Sequence, residues 1–214
     1  MKWLLPFLVG SLTLSECKIE HCKQHWFEQK IDHFSWDILP GGKTSFKQRY
    51  FVCTPKSGAD SIKHIKDTVI FFYFGNEDDV ELYVNHTGLM WESAEEFDAV
   101  LIFAEHRYYG QSKPFPPGTP RCMSWLSTEQ ALADYAALIA FLKVKLSSGP
   151  YIGFGGSYGG MLAAWFRMKY PHLIDGVIAA SAPIWAFLGL VPPYNDTAYN
   201  KIVTDDATSR GSQP

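Results

Sequence analysis

The run Tyr-Ile-Gly-Phe-Gly-Gly-Ser-Tyr-Gly-Gly at residues 151–160 constrains the fold of this chain more than any other segment. A β-prone stretch leads into Gly155-x-Ser157-x-Gly159, and a helical stretch begins at Tyr158. A strand, a tight turn and a helix in that order form the setting of a nucleophile elbow. The glycines are needed because the serine sits on a strained turn with no room for neighbouring Cβ atoms. We therefore predict that Ser157 is a nucleophile. The alternative is a glycine-rich turn whose serine has no chemical role.

The segments around this turn alternate between strand and helix patterns. Apolar, β-prone runs predict strands at 48–53, 68–74, 99–104, 151–154 and 176–180. Helical character is found at 90–97, 127–146 and 158–169. Ser127 and Gln130 form a capping box at the start of the second helix. This alternation predicts an α/β fold with a mostly parallel sheet and flanking helices.

Charge and the amino terminus limit the classes of partner and the compartment. The chain has 214 residues, a formal net charge of −3 and a pI near 6.1, so we predict neither a nucleic-acid nor a membrane partner. Residues 1–16 resemble a secretory signal peptide, because a lysine precedes an apolar run too short to span a membrane. The alternative is an anchor or a buried helix. Sequons at Asn85 and Asn195 predict N-glycosylation.

A secretory route places the cysteines in an oxidising compartment. The chain has 4 cysteines, which allow three full pairings, and signal cleavage after Cys17 would leave one unpaired. Cys17, His21, Cys22 and His25 lie close together in sequence. Their spacing matches none of the usual zinc patterns, and we predict no metal and no other cofactor.

A serine nucleophile also needs donors for the oxyanion that forms on its substrate. In elbows of this type one donor is the backbone N–H after the serine, here Tyr158. The second comes from a loop after an earlier strand, and Gly75-Asn76-Glu77 follows the strand at 68–74 in that way. We predict that an N–H of Asn76 or Glu77 is the second donor. The alternative is an ordinary turn.

The general base is harder to place. The expected chain order is serine, acid, histidine, but only His172 follows Ser157, and no Asp or Glu lies between the two. His172 stands at the far end of a helix, about 20 Å from the serine at 1.5 Å per residue, so we predict a structural role for it. His86 and His106 precede the serine and break the order. The sequence therefore predicts an incomplete triad in this chain.

Several motifs, in order, resemble one family of secreted and lysosomal serine peptidases, which includes the Pro-X carboxypeptidases and dipeptidyl-peptidase II. The matching segments are FYFGNE at 72–77, FAEHRYYG at 103–110, EQALAD at 129–134, GGSYGGMLAAWFRMKYPH at 155–172 and ASAPIW at 180–185. The chain looks closer to the Pro-X carboxypeptidase branch. The resemblance extends over roughly residues 25–206.

The resemblance implies an α/β-hydrolase core and cleavage of peptides next to proline, with Ser157 as the nucleophile. It implies a lysosomal or extracellular location and allows for a homodimer of the full-length protein. The family's aspartate and histidine, and most of its helical cap, would lie beyond residue 214. We therefore expect a partial hydrolase domain at 25–190, and the start of a truncated cap or a disordered tail at 191–214.

The chain departs from the family at one position and leaves one motif without a catalytic role. The family's loop reads Gly-Asn-Glu-Gly, whereas Asp78 stands at the last position here. If that position needs a positive φ, aspartate would tolerate it with some strain. We interpret the motif at 105–110 as structural and predict that Glu105 and Arg107 pair with each other.

Three functions are consistent with these observations. The first is a truncated copy of a proline-directed serine peptidase, whose chemistry belongs to the complete protein. The second is a non-catalytic short product, because half a parallel sheet without the acid and base cannot hydrolyse peptides. The third is an esterase or lipase on the same fold, since a fold alone does not set the substrate.

Overall fold

The computed structural model describes residues 18–36, 42–55, 66–119, 123–185, 187, 189–195 and 197–211. The strands are β1 Cys22–Lys30, β2 Ser45–Cys53, β3 Ile70–Phe74, β4 Val100–Ala104, β5 Tyr151–Gly156 and β6 Gly176–Ala180. The helices are α1 Val80–His86, α2 Gly88–Phe97, α3 Thr128–Lys145, α4 Tyr158–Lys169 and α5 Ala198–Ser209, and a 3-10 turn spans Lys18–His21. The signal peptide predicted at 1–16 lies outside the described residues.

These strands form a 6-stranded sheet in the order β1-β2-β4-β3-β5-β6. β3 pairs in parallel with β4 and β5, and β5 pairs in parallel with β6. β2 pairs antiparallel with both β1 and β4. The predicted mostly parallel α/β sheet is confirmed, and β1, α1 and α5 are elements that the sequence patterns did not predict.

The core lies on both faces of the sheet because the central strands are buried on both sides. Alternate residues of β3 point in opposite directions, as strand geometry requires. Phe72 and Phe74 pack in the cluster that includes α3 and α4, and Phe71 and Tyr73 pack in the cluster that includes α1 and α2. The helices therefore flank the sheet on both sides. By contrast, α5 has no buried residue.

The amino-terminal hairpin is joined covalently. Cys22 and Cys53 are direct partners in the β1–β2 register and form a disulfide. Of the pairings that the sequence left open, the structure thus contains Cys22 with Cys53. Cys17 and Cys122 lie outside the described residues. Within the described part of the chain, no group of three or more His, Cys, Asp and Glu residues is placed to hold a metal ion. No helix among those residues is long and apolar enough to cross a membrane.

α3 begins where the sequence predicts. The Ser127 side chain accepts a hydrogen bond from the Gln130 N–H and caps the helix. β5 ends at Gly156 and α4 begins at Tyr158, so Ser157 alone separates the strand from the helix. The carboxyl ends of β3 and β5, two neighbouring parallel strands, therefore bring the 75–79 loop and Ser157 to the same edge of the sheet.

Candidate active site

Ser157 occupies a strained backbone conformation at the turn between β5 and α4. Its φ of 55° and ψ of −125° lie in a region that residues other than glycine rarely adopt. The Ser157 N–H donates to the Ala180 carbonyl at 3.0 Å, and the Ser157 carbonyl accepts from the Met161 N–H at 3.1 Å. Both backbone polar groups of Ser157 are thus hydrogen-bonded. Ser157 is exposed, and its side chain makes no capping hydrogen bond to α4.

The two glycines that flank the serine are required by close backbone approaches. A Cβ on Gly155 would overlap the carbonyl oxygen of Gly159, at the start of α4. A Cβ on Gly159 would lie 2.7 Å from the carbonyl oxygen of Phe74, at the end of β3. Any larger residue at either position would push the first turn of α4 away from the sheet.

The loop after β3 packs directly against this turn. The Asn76 side chain is buried, and its Nδ2 donates to the carbonyl of Gly156 at 3.4 Å. The Asn76 Oδ1 accepts from the Tyr73 hydroxyl at 3.4 Å. The neighbouring Glu77 is exposed. The structure therefore brings the loop with the predicted second oxyanion donor next to Ser157, as the sequence order of the two segments suggested.

Two further backbone features bear on this candidate oxyanion site. Tyr158 is the first residue of α4, where N–H groups have no partner within the helix. Asp78 donates its N–H to the Asn76 carbonyl at 2.9 Å and is not among the described residues with positive φ. The aspartate that replaces the family's glycine therefore carries no left-handed strain. The assignment of Tyr158, Asn76 and Glu77 as donors remains a prediction.

Two hydrogen bonds hold the side chain of Tyr158, the residue that follows Ser157. Its hydroxyl lies 3.2 Å from His106 Nε2 and 3.2 Å from Thr128 Oγ1. His106 Nδ1 lies 2.7 Å from the Arg107 carbonyl, which can only accept, so Nδ1 carries the proton. Nε2 then accepts from Tyr158, and the Tyr158 oxygen accepts from Thr128. A continuous chain of hydrogen bonds runs from α3 through Tyr158 to the end of β4.

Burial sets the protonation states in this chain of hydrogen bonds. Burial lowers the pKa of His106, although its hydrogen bond to Arg107 opposes the change, so the imidazole stays neutral. Burial likewise raises the pKa of Tyr158. Both ring nitrogens of His106 are engaged, which agrees with the expectation that it is not the base. His86 donates from Nδ1 to the Leu82 carbonyl at 2.7 Å within its own helix.

The predicted pair between Glu105 and Arg107 is wrong. Glu105 pairs with Arg49 from β2, at 2.5 Å between Oε1 and Nη2. Arg107 instead pairs with Asp134 from α3, at 2.6 Å between Nε and Oδ2. All four side chains are buried. Each of the two charges near the end of β4 has its partner on a different element, which proximity in sequence could not reveal.

The remaining predicted residues lie away from the turn. His172 is exposed after the end of α4, with its ring 6.4 Å from that of Tyr170. Asn85 is half-buried in the last turn of α1, and its Oδ1 accepts from the Ile19 N–H at 3.3 Å. Asn195 is exposed, and its Oδ1 accepts from the N–H and hydroxyl of Thr197. Glycosylation at the two asparagines stays a prediction.

A six-stranded, mostly parallel sheet with a strained serine between β5 and α4 defines an α/β-hydrolase core. The sequence comparisons give the family. The profile of the serine carboxypeptidase S28 family matches residues 29–213, and the chain belongs to this family of serine peptidases.

Lysosomal Pro-X carboxypeptidases are among its relatives. The Homo sapiens protein is 48% identical over 192 residues, which cover 87% of this chain and 36% of that protein. The Mus musculus protein is 47% identical over 212 residues, which cover 96% of this chain and 40% of that protein. The Thymus-specific serine protease of Mus musculus is 35% identical over 193 residues, covering 87% of this chain and 34% of that protein. The chain thus spans well under half the length of these relatives.

Proposed function

We propose that this chain supplies the nucleophile of a serine exopeptidase that cleaves peptide bonds next to proline, in the manner of a Pro-X carboxypeptidase. Ser157 is the nucleophile. The N–H of Tyr158, together with that of Asn76 or Glu77, receives the oxyanion. The substrates are proline-containing peptides. The protein works in the lysosome or outside the cell: its signal peptide would direct it into the secretory pathway, and it would carry N-glycans there.

The strained backbone of Ser157 carries this proposal. A serine with a φ of 55° is costly to hold in place, and here two close backbone approaches at Gly155 and Gly159 maintain it. Its side chain is exposed at the sheet edge where β3 and β5 end. The preference for proline rests on the relatives, which are named as Pro-X carboxypeptidases.

The reaction needs groups that we assign to sequence beyond residue 214. A histidine must take the proton of the Ser157 hydroxyl as the Oγ–carbon bond forms, and must return it to the amine when the peptide bond breaks. An aspartate must orient that histidine. We assign neither role to His106 or His172, and we expect residues 1–214 alone to be inactive.

The first experiment determines the size of the native protein. An antibody to residues 129–145 recovers the protein from its natural source, and mass spectrometry measures the deglycosylated product. We expect a mass more than twice the 24.2 kDa of this chain. A mass slightly below 24.2 kDa, which signal cleavage would give, shows that the short form is the native one and overturns the peptidase assignment for it.

The second experiment tests the nucleophile and the substrate in that full-length protein. A fluorophosphonate probe transfers its phosphonyl group to Oγ of an activated serine and releases fluoride. We expect labelling of the tryptic peptide that contains Ser157 and its loss in Ser157→Ala. The matched control is Ser148→Ala, an exposed serine just before β5, which should label and turn over normally. Turnover by Ser157→Ala at the normal rate would refute the role of Ser157. Hydrolysis of short esters but of no proline peptide would refute the substrate class.

A further inference from the structure

The buried carboxylate of Glu105 accepts hydrogen bonds from three different segments. Its Oε2 accepts from the Ser112 N–H at 2.9 Å, the Ser112 hydroxyl at 2.7 Å and the Gln111 N–H at 2.9 Å. Its Oε1 accepts from Arg49 Nη2 at 2.5 Å and from the Val80 N–H at 3.2 Å. Val80 is the first residue of α1. Glu105 therefore fixes the start of α1 to the end of β4.

Arg49 holds the same end of α1 from a second direction. Its guanidinium is completely buried and reaches Asp79 at 2.5 Å and Glu81 at 2.8 Å, besides Glu105. Asp79 is the N-cap of α1 and accepts from the Glu81 N–H at 2.9 Å. Burial alone would lower the pKa of Arg49, but the hydrogen bond and the charge of Glu105, with a further contribution from Asp79, raise it.

The loop between β3 and α1 is thus fixed at both ends, by the consecutive residues Ala104 and Glu105 at the end of β4. At one end, the Gly75 N–H donates to the Ala104 carbonyl at 3.1 Å. At the other, the Val80 N–H donates to Glu105. Only residues 76–79 lie between these two anchor points, and they include both candidates for the second oxyanion donor. A shift of the first turn of α1 would therefore move the N–H groups of Asn76 and Glu77.

We propose that the buried Glu105–Arg49 pair positions the oxyanion loop, so that its charge and geometry control the rate of the chemical step. This inference rests on the proposed function. Neither residue touches the substrate; both act through the backbone at 76–79. A purely structural pair would also stabilise the fold, but its loss would leave the turnover of each folded molecule unchanged.

The test uses the full-length protein and the variant Glu105→Gln. Glutamine preserves the shape of the side chain, but it replaces one acceptor oxygen with an N–H₂ group that faces other donors. The loss of one oxyanion donor costs about 100–1,000-fold in kcat. For a displaced donor we expect a loss of about 10–100-fold in kcat on a proline peptide, with KM within about twofold of the unmodified protein. Titration of Ser157 with the fluorophosphonate probe counts the folded sites.

The matched control is Asp134→Asn. Asp134 is also a buried carboxylate paired with a buried arginine, but its partner Arg107 holds β1 and α3 and makes none of the contacts to the 75–80 segment described above. We expect this variant to lower the melting temperature and to leave kcat for each titrated site unchanged. A second variant, Asp79→Asn, keeps a good N-cap residue and removes one of the three carboxylate charges that face Arg49. Because the Asp79 side chain is half-exposed, we expect this variant to fold, with a kcat loss of about 3–10-fold.

The outcomes separate this inference from the proposed function. If Ser157→Ala turns over normally, both are wrong. If Ser157→Ala is inactive but Glu105→Gln has kcat within twofold of normal for each titrated site, the pair is structural and the inference alone is overturned. A change in KM without a change in kcat overturns it as well. If Glu105→Gln yields no titratable sites, Asp79→Asn decides, and an unchanged kcat there refutes the positioning role.

Discussion

Removal of the Asp134 carboxylate should destabilise the protein more than any surface substitution, because it leaves the charge of Arg107 buried and uncompensated. Arg107 uses all five of its N–H donors. Two bonds go to Asp134, at 2.6 and 2.7 Å, and three go to the carbonyls of Ile31, Trp125 and Lys30. In Asp134→Ala the three carbonyls remain, but no negative charge replaces the carboxylate, and His33 loses its partner at 2.7 Å.

The size of the effect follows from the burial of both side chains, whose exposed fractions are 0% for Arg107 and 1% for Asp134. Breaking a pair of this kind by removing one partner costs about 3–5 kcal/mol of the free energy of unfolding. A whole domain has only about 5–15 kcal/mol. At about 2–4 °C per kcal/mol for a domain of this size, the melting temperature should fall by about 6–20 °C.

Thermal unfolding of the full-length protein, followed by circular dichroism, measures this loss. The double variant Arg107→Met, Asp134→Leu removes both charges and fills the space, so it should cost less than the sum of the two single variants. Asp205→Ala is the control, because its exposed ion pair with Lys201 in α5 contributes a few tenths of a kcal/mol at most. A loss below about 1 kcal/mol in Asp134→Ala, or additivity within about 0.5 kcal/mol in the double variant, would refute the reasoning.

Three other predictions follow from the described contacts. Gly155→Ala should reduce fluorophosphonate labelling of Ser157 more than tenfold in the full-length protein, because the new Cβ displaces the first turn of α4; normal labelling would contradict the elbow geometry. Burial lowers the pKa of His106 in the folded state, so the unfolded chain binds the proton more readily, and stability that is present above about pH 6.5 is lost as the pH falls. Melting temperatures between pH 8 and pH 5 should therefore fall less steeply for His106→Gln, and identical slopes would argue against this cause. The disulfide between Cys22 and Cys53 closes a loop with a sequence separation of 31, so a variant with serine at both positions should lose about 3–4 kcal/mol in a denaturant titration, whereas a loss under 1 kcal/mol would show that the hairpin is held by its other contacts.

Local patterns predicted the parts of the fold that depend on local physics. The predicted strand at 176–180 and helix at 158–169 have the observed bounds, since continuous apolar runs and a glycine-rich turn define them. β1 was missed because its residues are mostly polar and only one of them is buried, so no apolar run marks it. Its pairing with β2 depends on a partner strand, which no short window of sequence contains.

The charged partners could not be predicted for the same reason. Glu105 and Arg107 are two positions apart, and pairing them was the simplest interpretation of opposite charges in one motif. Yet Glu105 pairs with a residue 56 positions earlier, and Arg107 with one 27 positions later. A buried charge takes the partner that the packed elements bring to it, and that choice is made by the tertiary structure. The position of Ser157 could be predicted because the turn that strains it is encoded within five residues.

The separation between Arg49 and Glu105 also has a consequence during synthesis. Arg49 leaves the ribosome 56 residues before its buried partner, a delay of about 3–11 s at ordinary elongation rates. During that time, burial of β2 would leave the charge of Arg49 without its partner. The disulfide between Cys22 and Cys53 in the β1–β2 hairpin can already form. The growing chain should therefore hold a covalently closed but still hydrated hairpin, onto which β4 docks when the glutamate arrives.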